Sequence, residues 1–97
     1  MSKATAAQRR RMDKVAAGCC IACRQDGIVD TPGEIHHCRQ HGYRDHWRVI
    51  CLCPAHHKMT SSVPGIPNRH GTPEVFEEKY GSDGELHLMT CAMLGEL

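Results

Sequence analysis

Leu52-Cys-Pro-Ala-His-His57 is the stretch of sequence on which the fold depends. It places Cys53 and His56 with two residues between them, and earlier in the chain Cys20-Ile-Ala-Cys23 repeats that spacing. A spacing of this kind lets one tight turn aim both donor atoms at a single cation, and four soft ligands close a tetrahedral zinc site. The two pairs therefore predict a structural Zn²⁺ site formed by Cys20, Cys23, Cys53 and His56.

The remaining cysteines are predicted to be structural. The chain has seven cysteines, an odd number that cannot pair completely as disulfides, and disulfides seldom persist in a reducing cytosol. Cys19 is an alternative zinc ligand to Cys20, and Cys51 to Cys53, although the spacings that result have the wrong reach for a zinc knuckle. The cysteines outside the zinc site are expected to be small buried apolar side chains: Cys19, Cys38, Cys51 and Cys91.

A second group of histidines remains once His56 is assigned to zinc. His36 and His37 end a predicted strand and therefore point to opposite faces, so one is expected to bind a cation while the other performs acid–base chemistry near neutral pH. His57 follows His56 on a predicted helix, about 100° away around the axis, and is expected to face the strands. His70 lies beyond the next loop. Two further histidines are expected to be surface or hydrogen-bonded residues: His41 and His87.

The turn, cap and composition signals divide the chain into short helices and strands, which predicts an α+β fold. Helices are predicted at 4–17, 54–61, 73–80 and 83–94, and strands at 34–37 and 47–52, the two strands pairing as a hairpin. In the last helix, Leu86, Met89 and Met93 fall on one stripe. Only four aromatic residues are present, so the core is small and metal is expected to stabilise it.

Charge is distributed unevenly along the chain. Basic residues are concentrated in residues 1–18 and acidic residues in 71–97, although the net charge is only +1. A basic arm suits a polyanion such as DNA, while the alternative is a solvated charged helix. We therefore divide the chain into a basic N-terminal helix or arm, 1–17, and a domain, 18–97. The candidate DNA contacts in the arm are Arg9, Arg10, Arg11 and Lys14.

No apolar run approaches the roughly 18 residues that a membrane span requires, and residues 1–17 contain no stretch typical of a signal peptide. We therefore expect a soluble cytoplasmic protein that does not associate with membranes.

The order of these motifs resembles the ββα-metal (HNH) nuclease fold, and more narrowly the phage recombination-enhancement nuclease (Ref) family. The resemblance implies a small zinc-stapled, treble-clef-like domain with flanking helices. It also implies a DNA endonuclease of phage recombination and repair that acts in a bacterial host and is directed by a RecA-type recombinase filament. The segments that carry it are 15–27, 34–37, 46–47, 52–57, 64–65, His70 and 76–81.

The resemblance also implies roles for single residues. His36, His57 and His70 match ligands of a catalytic Mg²⁺ or Mn²⁺, and His37 matches the general base. The chain departs from the wider HNH pattern at the middle Asn, because residues 46–50 contain none. His46 is the candidate to orient His37 or to contact phosphate, and Arg48 is a further candidate for DNA contact.

Two other classes of protein fit parts of the sequence. A non-catalytic zinc-binding module that binds DNA would use the cysteine-rich site alone and would need no second group of histidines. A redox or metal-handling thiol protein fits less well, because this Cys-x-x-Cys lacks the strand-helix context of a redox motif. The sequence does not decide between single-stranded and duplex DNA as substrate, and the oligomeric state stays unknown.

Overall fold

A computed structural model describes residues 3–38, 45–58 and 63–96. His41 and the end of the predicted helix 54–61 lie outside these residues. The described elements, in chain order, are α1 (Ala6–Ala16), α2 (Ile21–Gln25), β1 (Glu34–His37), β2 (Val49–Leu52), α3 (Pro54–His57), α4 (Pro73–Tyr80) and α5 (Asp83–Met93). The α+β class predicted from the sequence is confirmed.

The two strands pair antiparallel, as predicted, with Glu34 opposite Leu52 and His37 opposite Val49. The second strand begins two residues later than predicted, because Asp45 holds a turn before it. The Asp45 carboxylate accepts a hydrogen bond from the Trp47 N–H at 2.9 Å, and its carbonyl accepts one from the Arg48 N–H at 3.1 Å. Such side-chain capping of a turn is typical of Asp.

Helices cover both faces of β2, so all four of its residues are buried. Val49 and Cys51 pack on one face with Val15 and Met12 of α1. Although the sequence predicts 1–17 as a separate arm, α1 thus contributes to the core of the sheet. The opposite face carries Ile50 and Leu52, and their cluster includes residues of the helices beyond it: Ile21, Phe76, Tyr80 and Leu86.

Caps define the two longest helices. Thr5 and Gln8 form a capping box at the start of α1, and Ser82 and Glu85 form one at the start of α5, as the Ser-x-x-Glu pattern predicts. The predicted stripe on α5 is wrong in part: Leu86 is buried, but Met89 and Met93 are exposed. The buried face of α5 instead continues through Thr90 and Cys91, because these residues lie one turn beyond Leu86 on the side that meets the core.

Two short elements position the candidate site. Helix α3 begins at Pro54, which fits the first helical turn because its missing N–H is not needed there. Gly81 separates α4 from α5 with a φ of 115°, a backbone conformation that residues other than glycine rarely adopt. This turn lets Tyr80 and Asp83 face different parts of the molecule. Within the described ranges, no helix has the length and apolar character that crossing a membrane requires.

Candidate metal centres and catalytic cleft

The structure brings together the four predicted zinc ligands in one buried cluster. Their donor atoms all lie within 4.8 Å of one another. Nδ1 of His56 is 3.2 Å from Sγ of Cys53, 3.5 Å from Sγ of Cys23 and 3.7 Å from Sγ of Cys20. A zinc tetrahedron with Zn–S of about 2.3 Å and Zn–N of about 2.0–2.1 Å has edges of roughly 3.6–3.8 Å. The donor distances therefore fit a structural zinc ion.

Contacts around His56 support the same assignment. The Tyr80 hydroxyl donates to Oδ2 of Asp26 at 2.7 Å, and its oxygen lies 3.1 Å from Nε2 of His56. Because the Tyr80 proton goes to the carboxylate, its oxygen accepts from His56 Nε2–H, which leaves Nδ1 unprotonated towards the sulfurs. Burial lowers the pKa of His56 and raises the pKa of the Cys20 thiol to about 12. Metal binding at this cluster therefore releases thiol protons.

The two alternative zinc ligands lie outside this cluster. Cys19 Sγ donates to the Ile28 carbonyl at 3.2 Å, and Cys51 Sγ lies 3.8 Å from the Gly18 carbonyl oxygen. The cysteines predicted to be structural are all buried: Cys19, Cys38, Cys51 and Cys91.

A second cluster contains His36, His57 and His70, whose ring nitrogens lie within 4.8 Å of one another. These residues come from β1, from α3 and from the loop before α4. The His70 N–H donates to the His57 carbonyl at 3.2 Å, and the Arg69 N–H donates to the His56 carbonyl at 2.7 Å. These two bonds fasten the loop to α3 and so place His70 beside the other two rings.

Two carboxylates lie beside the ring nitrogens that point away from the centre of the cluster. These contacts favour one tautomer of each ring. Oε1 of Glu34 lies 2.8 Å from Nδ1 of His57, and Oδ2 of Asp83 lies 3.4 Å from Nε2 of His36. When both rings donate to their carboxylates, His36 Nδ1 and His57 Nε2 face each other unprotonated at 3.2 Å. The opposite tautomer of His36 would turn a lone pair towards the Asp83 carboxylate, which is unfavourable.

This arrangement fits a cation. Two facing lone pairs repel each other unless a positive charge lies between them, and carboxylate–histidine pairs of this kind are the usual surroundings of protein metal sites. Burial lowers the pKa of His57 more than its hydrogen bond with Glu34 raises it. Protonation of this buried ring is therefore disfavoured, and a metal ion is the species that suits the cluster.

Asp83 joins this cluster to Arg69. Nε and Nη2 of Arg69 donate to the two Asp83 oxygens at 2.8 and 3.3 Å. Burial alone would raise the pKa of the Asp83 carboxyl, but hydrogen bonds with His36 and Arg69 outweigh it and hold the pKa well below its usual range. The group His36, Cys38 and Asp83 also has donor atoms within metal-binding reach. Because the Arg69 guanidinium already neutralises Asp83, we interpret this carboxylate as a partner of His36.

His37 points to the opposite sheet face from His36, as predicted, and its Nε2 lies 3.1 Å from Nδ1 of His46. The structure thus places His46 where it can orient His37. Both His36 and His37 border a cleft of about 340 Å³. The described residues that line this cleft are Ile35, His36, His37, His57, Arg69, His70 and Asp83.

The predicted DNA contacts fall into two groups. Arg9, Arg10 and Lys14 are exposed on α1. Arg11 differs: its Nε donates to Oε2 of Glu96 at 2.9 Å, its Nη1 donates to the Trp47 carbonyl at 2.7 Å, and its side chain is only 10% exposed. The expectation that Arg11 contacts DNA therefore does not suit the structure, since its guanidinium is already bound within the protein.

Two more predicted residues can be placed. Arg48 is half-buried, and its Nε is buried without a hydrogen-bond partner among the described residues. His87 is half-buried, and its Nε2 lies 3.2 Å from the Trp47 carbonyl oxygen, which agrees with the hydrogen-bonded role expected for it.

Several residues that shape the two clusters were missed from the sequence. Glu34 had a usable signal, because it stands two residues before His36 on the same face of a strand. Asp83 was recognised only as the first residue of a capped helix, and Arg69 only as part of a loop. Tyr80 meets His56 across 24 residues of sequence and Asp26 meets Tyr80 across 54, which no local pattern reveals.

The sequence was compared with the curated proteins and with models of protein families. A search of the curated proteins gave no match to this chain. Residues 4–95 match the family model described as recombination enhancement, RecA-dependent nuclease. That description names a nuclease activity and a dependence on RecA, and the match covers both clusters and the cleft. The chain therefore belongs to the family of RecA-dependent nucleases of recombination enhancement.

Proposed function

We propose that this protein is an HNH-type, divalent-metal-dependent DNA endonuclease of phage recombination, directed to its target by a RecA-type filament. The family description supports nuclease activity and RecA dependence. The HNH type, the metal dependence and the residue roles are our inference from the cleft.

One observation carries the proposal: Nδ1 of His36 and Nε2 of His57 face each other at 3.2 Å in the cleft that His37 also lines. A non-catalytic zinc module has no need of this second cluster, because the cysteine-rich cluster already supplies a closed structural site. A metal site beside an additional histidine can supply both charge stabilisation and a general base for hydrolysis of a phosphodiester.

His36, His57 and His70 would hold the catalytic cation, Mg²⁺ or Mn²⁺. When bound, that cation supplies Lewis-acid stabilisation of the charge that develops on the phosphate and on the leaving 3′ oxygen. Three protein ligands leave coordination positions for substrate, whereas the four ligands of the zinc cluster leave none. Glu34 and Asp83 keep the rings of His57 and His36 oriented through their hydrogen bonds.

His37 is the general base in this proposal. An unprotonated nitrogen of its ring accepts a proton from water as the water oxygen forms a bond to phosphorus. The bond between phosphorus and the 3′ oxygen breaks, and that oxygen takes a proton from solvent, so the products carry a 5′ phosphate and a 3′ hydroxyl. His46, 3.1 Å from His37, holds the ring in position, which is the role that the missing Asn would have. General-base assistance of this kind contributes typically 10²–10⁴ in rate.

DNA is proposed to approach along α1 and the outer edge of β1. Helix α1 packs on the sheet face to which His37 points, and it carries the exposed Arg9, Arg10 and Lys14. These residues provide phosphate contacts without sequence preference. Arg48, at the start of β2, is a further proposed contact.

Cleavage assays with purified zinc-loaded protein test the proposal. Plasmid and single-stranded DNA are incubated with and without Mg²⁺ or Mn²⁺, each with and without a recombinase filament. We expect cleavage that requires the added cation and is increased by the filament. A folded, zinc-loaded protein that cuts neither substrate under any of these conditions would contradict the proposal and would favour the non-catalytic module.

A further inference from the structure

Arg69 occupies a place in the cleft that the sequence did not predict. Its backbone N–H is fixed to the His56 carbonyl at 2.7 Å, and its side chain, 25% exposed, borders the cleft. Among the described residues that line the cleft, it is the one side chain with a permanent positive charge. It therefore differs from the imidazoles around it, which carry no permanent charge.

The guanidinium uses only one of its two forks on Asp83. Nε and Nη2 donate to the two carboxylate oxygens, which occupies the side-on fork. The end-on fork, formed by Nη1 and the outer proton of Nη2, has no partner among the described residues. The hydrogen bond with Asp83 raises the pKa of Arg69, and this contact also holds the side chain in one orientation. A planar pair of N–H donors held in this orientation can donate to an oxygen of a phosphate.

We propose that the end-on fork of Arg69 binds a non-bridging oxygen of the scissile phosphodiester. The inference rests on the proposed function, and it adds a catalytic residue to the histidines. Negative charge on the phosphate increases as the water oxygen attacks, so a fixed cation beside it stabilises the transition state more than the ground state. Because Asp83 already orders the side chain, little conformational entropy is lost when the phosphate binds.

Charge in the cleft supports this role. Asp83 is neutralised by Arg69, and the other described residues that line the cleft, one isoleucine and four histidines, carry no permanent charge. The described lining thus has no fixed charge beyond this ion pair. A guanidinium with an unused fork is the one described protein group there that can meet a phosphate anion directly.

Two substitutions of Arg69 distinguish a direct contact with the phosphate from a purely structural role. Arg69→Gln removes the charge and the fork, whereas Arg69→Lys keeps the charge but loses the planar pair of donors. Removing a donor that stabilises developing charge lowers kcat by about 10²–10³, so we expect a fall of that size in single-turnover cleavage by Arg69→Gln. A loss of at least about tenfold is expected for Arg69→Lys. The matched control is Arg24→Gln on α2, an exposed arginine outside the cleft, which should cut at the wild-type rate.

Cleavage of phosphorothioate substrates gives a measurement that would not change if Arg69 had only a structural role. With Mn²⁺, which accepts sulfur as a ligand, the wild-type protein should prefer one of the two diastereomers at the scissile phosphate, because sulfur accepts the Arg69 hydrogen bonds poorly. Arg69→Gln and Arg69→Lys should lose most of this preference while keeping their zinc. If Arg69→Gln does not fold, the Arg69→Lys protein decides the question.

The outcomes separate this inference from the proposed function. If the wild-type protein cuts DNA but both variants cut at its rate, the inference is wrong and the proposed function stands. The same holds if a variant is slower yet keeps the full diastereomer preference, since Arg69 would then act only through Asp83. If the wild-type protein cuts no DNA, the proposed function fails and the inference fails with it.

Discussion

The cysteine-rich cluster and the histidine cluster share one four-residue helix but differ in access to solvent. In α3, His56 faces the three cysteines, and the next residue, His57, faces His36 and His70. All four groups of the first cluster are buried, whereas the second includes the exposed His70 and opens on the cleft. A closed set of four ligands suits structure, and an open set of three suits chemistry.

The two clusters also differ in the groups that contact the outer nitrogens of their imidazole rings. A neutral hydroxyl, that of Tyr80, contacts His56, whereas carboxylates contact His57 and His36. Carboxylate partners make an imidazole a more basic ligand and fix its tautomer. The turn at Gly81 supplies both kinds of partner, because it places Tyr80 beside the first cluster and Asp83 beside the second. The two clusters are therefore expected to respond differently to substitution.

The largest effect is expected at the cysteine-rich cluster. Cys23→Ser should lose bound zinc and cooperative thermal unfolding, because structural zinc binding contributes about 10–16 kcal/mol in small zinc-finger peptides and exceeds what a small core supplies. Zinc content by mass spectrometry and unfolding by circular dichroism check this. Cys19→Ser is the matched control, since Cys19 lies outside the cluster, and it should keep both. A Cys23→Ser protein that retains its zinc and its melting transition would refute the assignment.

At the open cluster, His57→Ala should leave the fold and the zinc intact. The catalytic cation should no longer bind, and cleavage should fall by about 10³-fold or more, since such a cation supplies several kcal/mol of transition-state stabilisation. Isothermal titration with Mn²⁺ and a cleavage assay measure the two effects. Loss of zinc from this variant would show that the zinc site depends on the histidine cluster, so that the two clusters are not independent.

His37→Ala separates acid–base chemistry from cation binding in the cleft. We expect this variant to bind zinc, Mn²⁺ and DNA as the wild type does, while single-turnover cleavage falls by roughly 10²–10⁴. His46→Ala should be slower as well, but by less, because the His37 ring remains present. Cleavage by His37→Ala at the wild-type rate would remove His37 from the mechanism.

Glu34→Gln tests the carboxylate partners. The amide keeps a hydrogen-bond acceptor for His57 but loses the negative charge, and changes of this kind typically lower metal affinity by about 10–100-fold. The Mn²⁺ dissociation constant should rise accordingly, with little effect on zinc. Lys58→Gln removes a surface partner of the same carboxylate, 3.1 Å away, and serves as control. Equal Mn²⁺ affinity in wild type and Glu34→Gln would argue against a cation beside His57.

The smallest effects are expected for substitutions on α1. They distinguish the arginines proposed to contact DNA from the arginine that is bound within the protein. Replacement of Arg9 and Arg10 by Ala should weaken DNA binding and reduce its salt slope by about 1 for each phosphate that the helix no longer neutralises. Arg11→Ala should leave the slope unchanged and lower Tm by a few °C, because it breaks the hydrogen bonds with Glu96 and Trp47. Fluorescence anisotropy across a salt series measures the slopes. An unchanged slope after replacement of Arg9 and Arg10 would show that these residues are only solvated.

Spacing predicted the members of the cysteine-rich cluster, whereas the resemblance to the nuclease family implied that His36, His57 and His70 belong to one site. Two pairs with two intervening residues identified the cysteine-rich cluster, and strand alternation separated His36 from His37. The rotation of about 100° between neighbouring helical residues separated His56 from His57. These rules succeed because each depends on backbone geometry within one element.

Groups that depend on tertiary proximity were not predicted. Arg11 carries the same sequence signal as Arg9 and Arg10, yet its partner Glu96 is 85 residues away. Arg69 and Asp83 meet only because the loop before α4 is fastened to α3 and the turn at Gly81 reverses the chain. Helix α2, with five residues, is too short for hydrophobic periodicity to reveal.

One cluster is proposed to hold zinc and the other to hold the cation that DNA cleavage requires. The most direct measurement is DNA cleavage by zinc-loaded protein during a titration with Mn²⁺, with bound metal counted at each point. We predict that activity rises in proportion to a second metal ion per chain, and that His57→Ala keeps one zinc and shows neither the second ion nor cleavage. Full cleavage by protein that holds only its zinc, or by His57→Ala, would contradict the account.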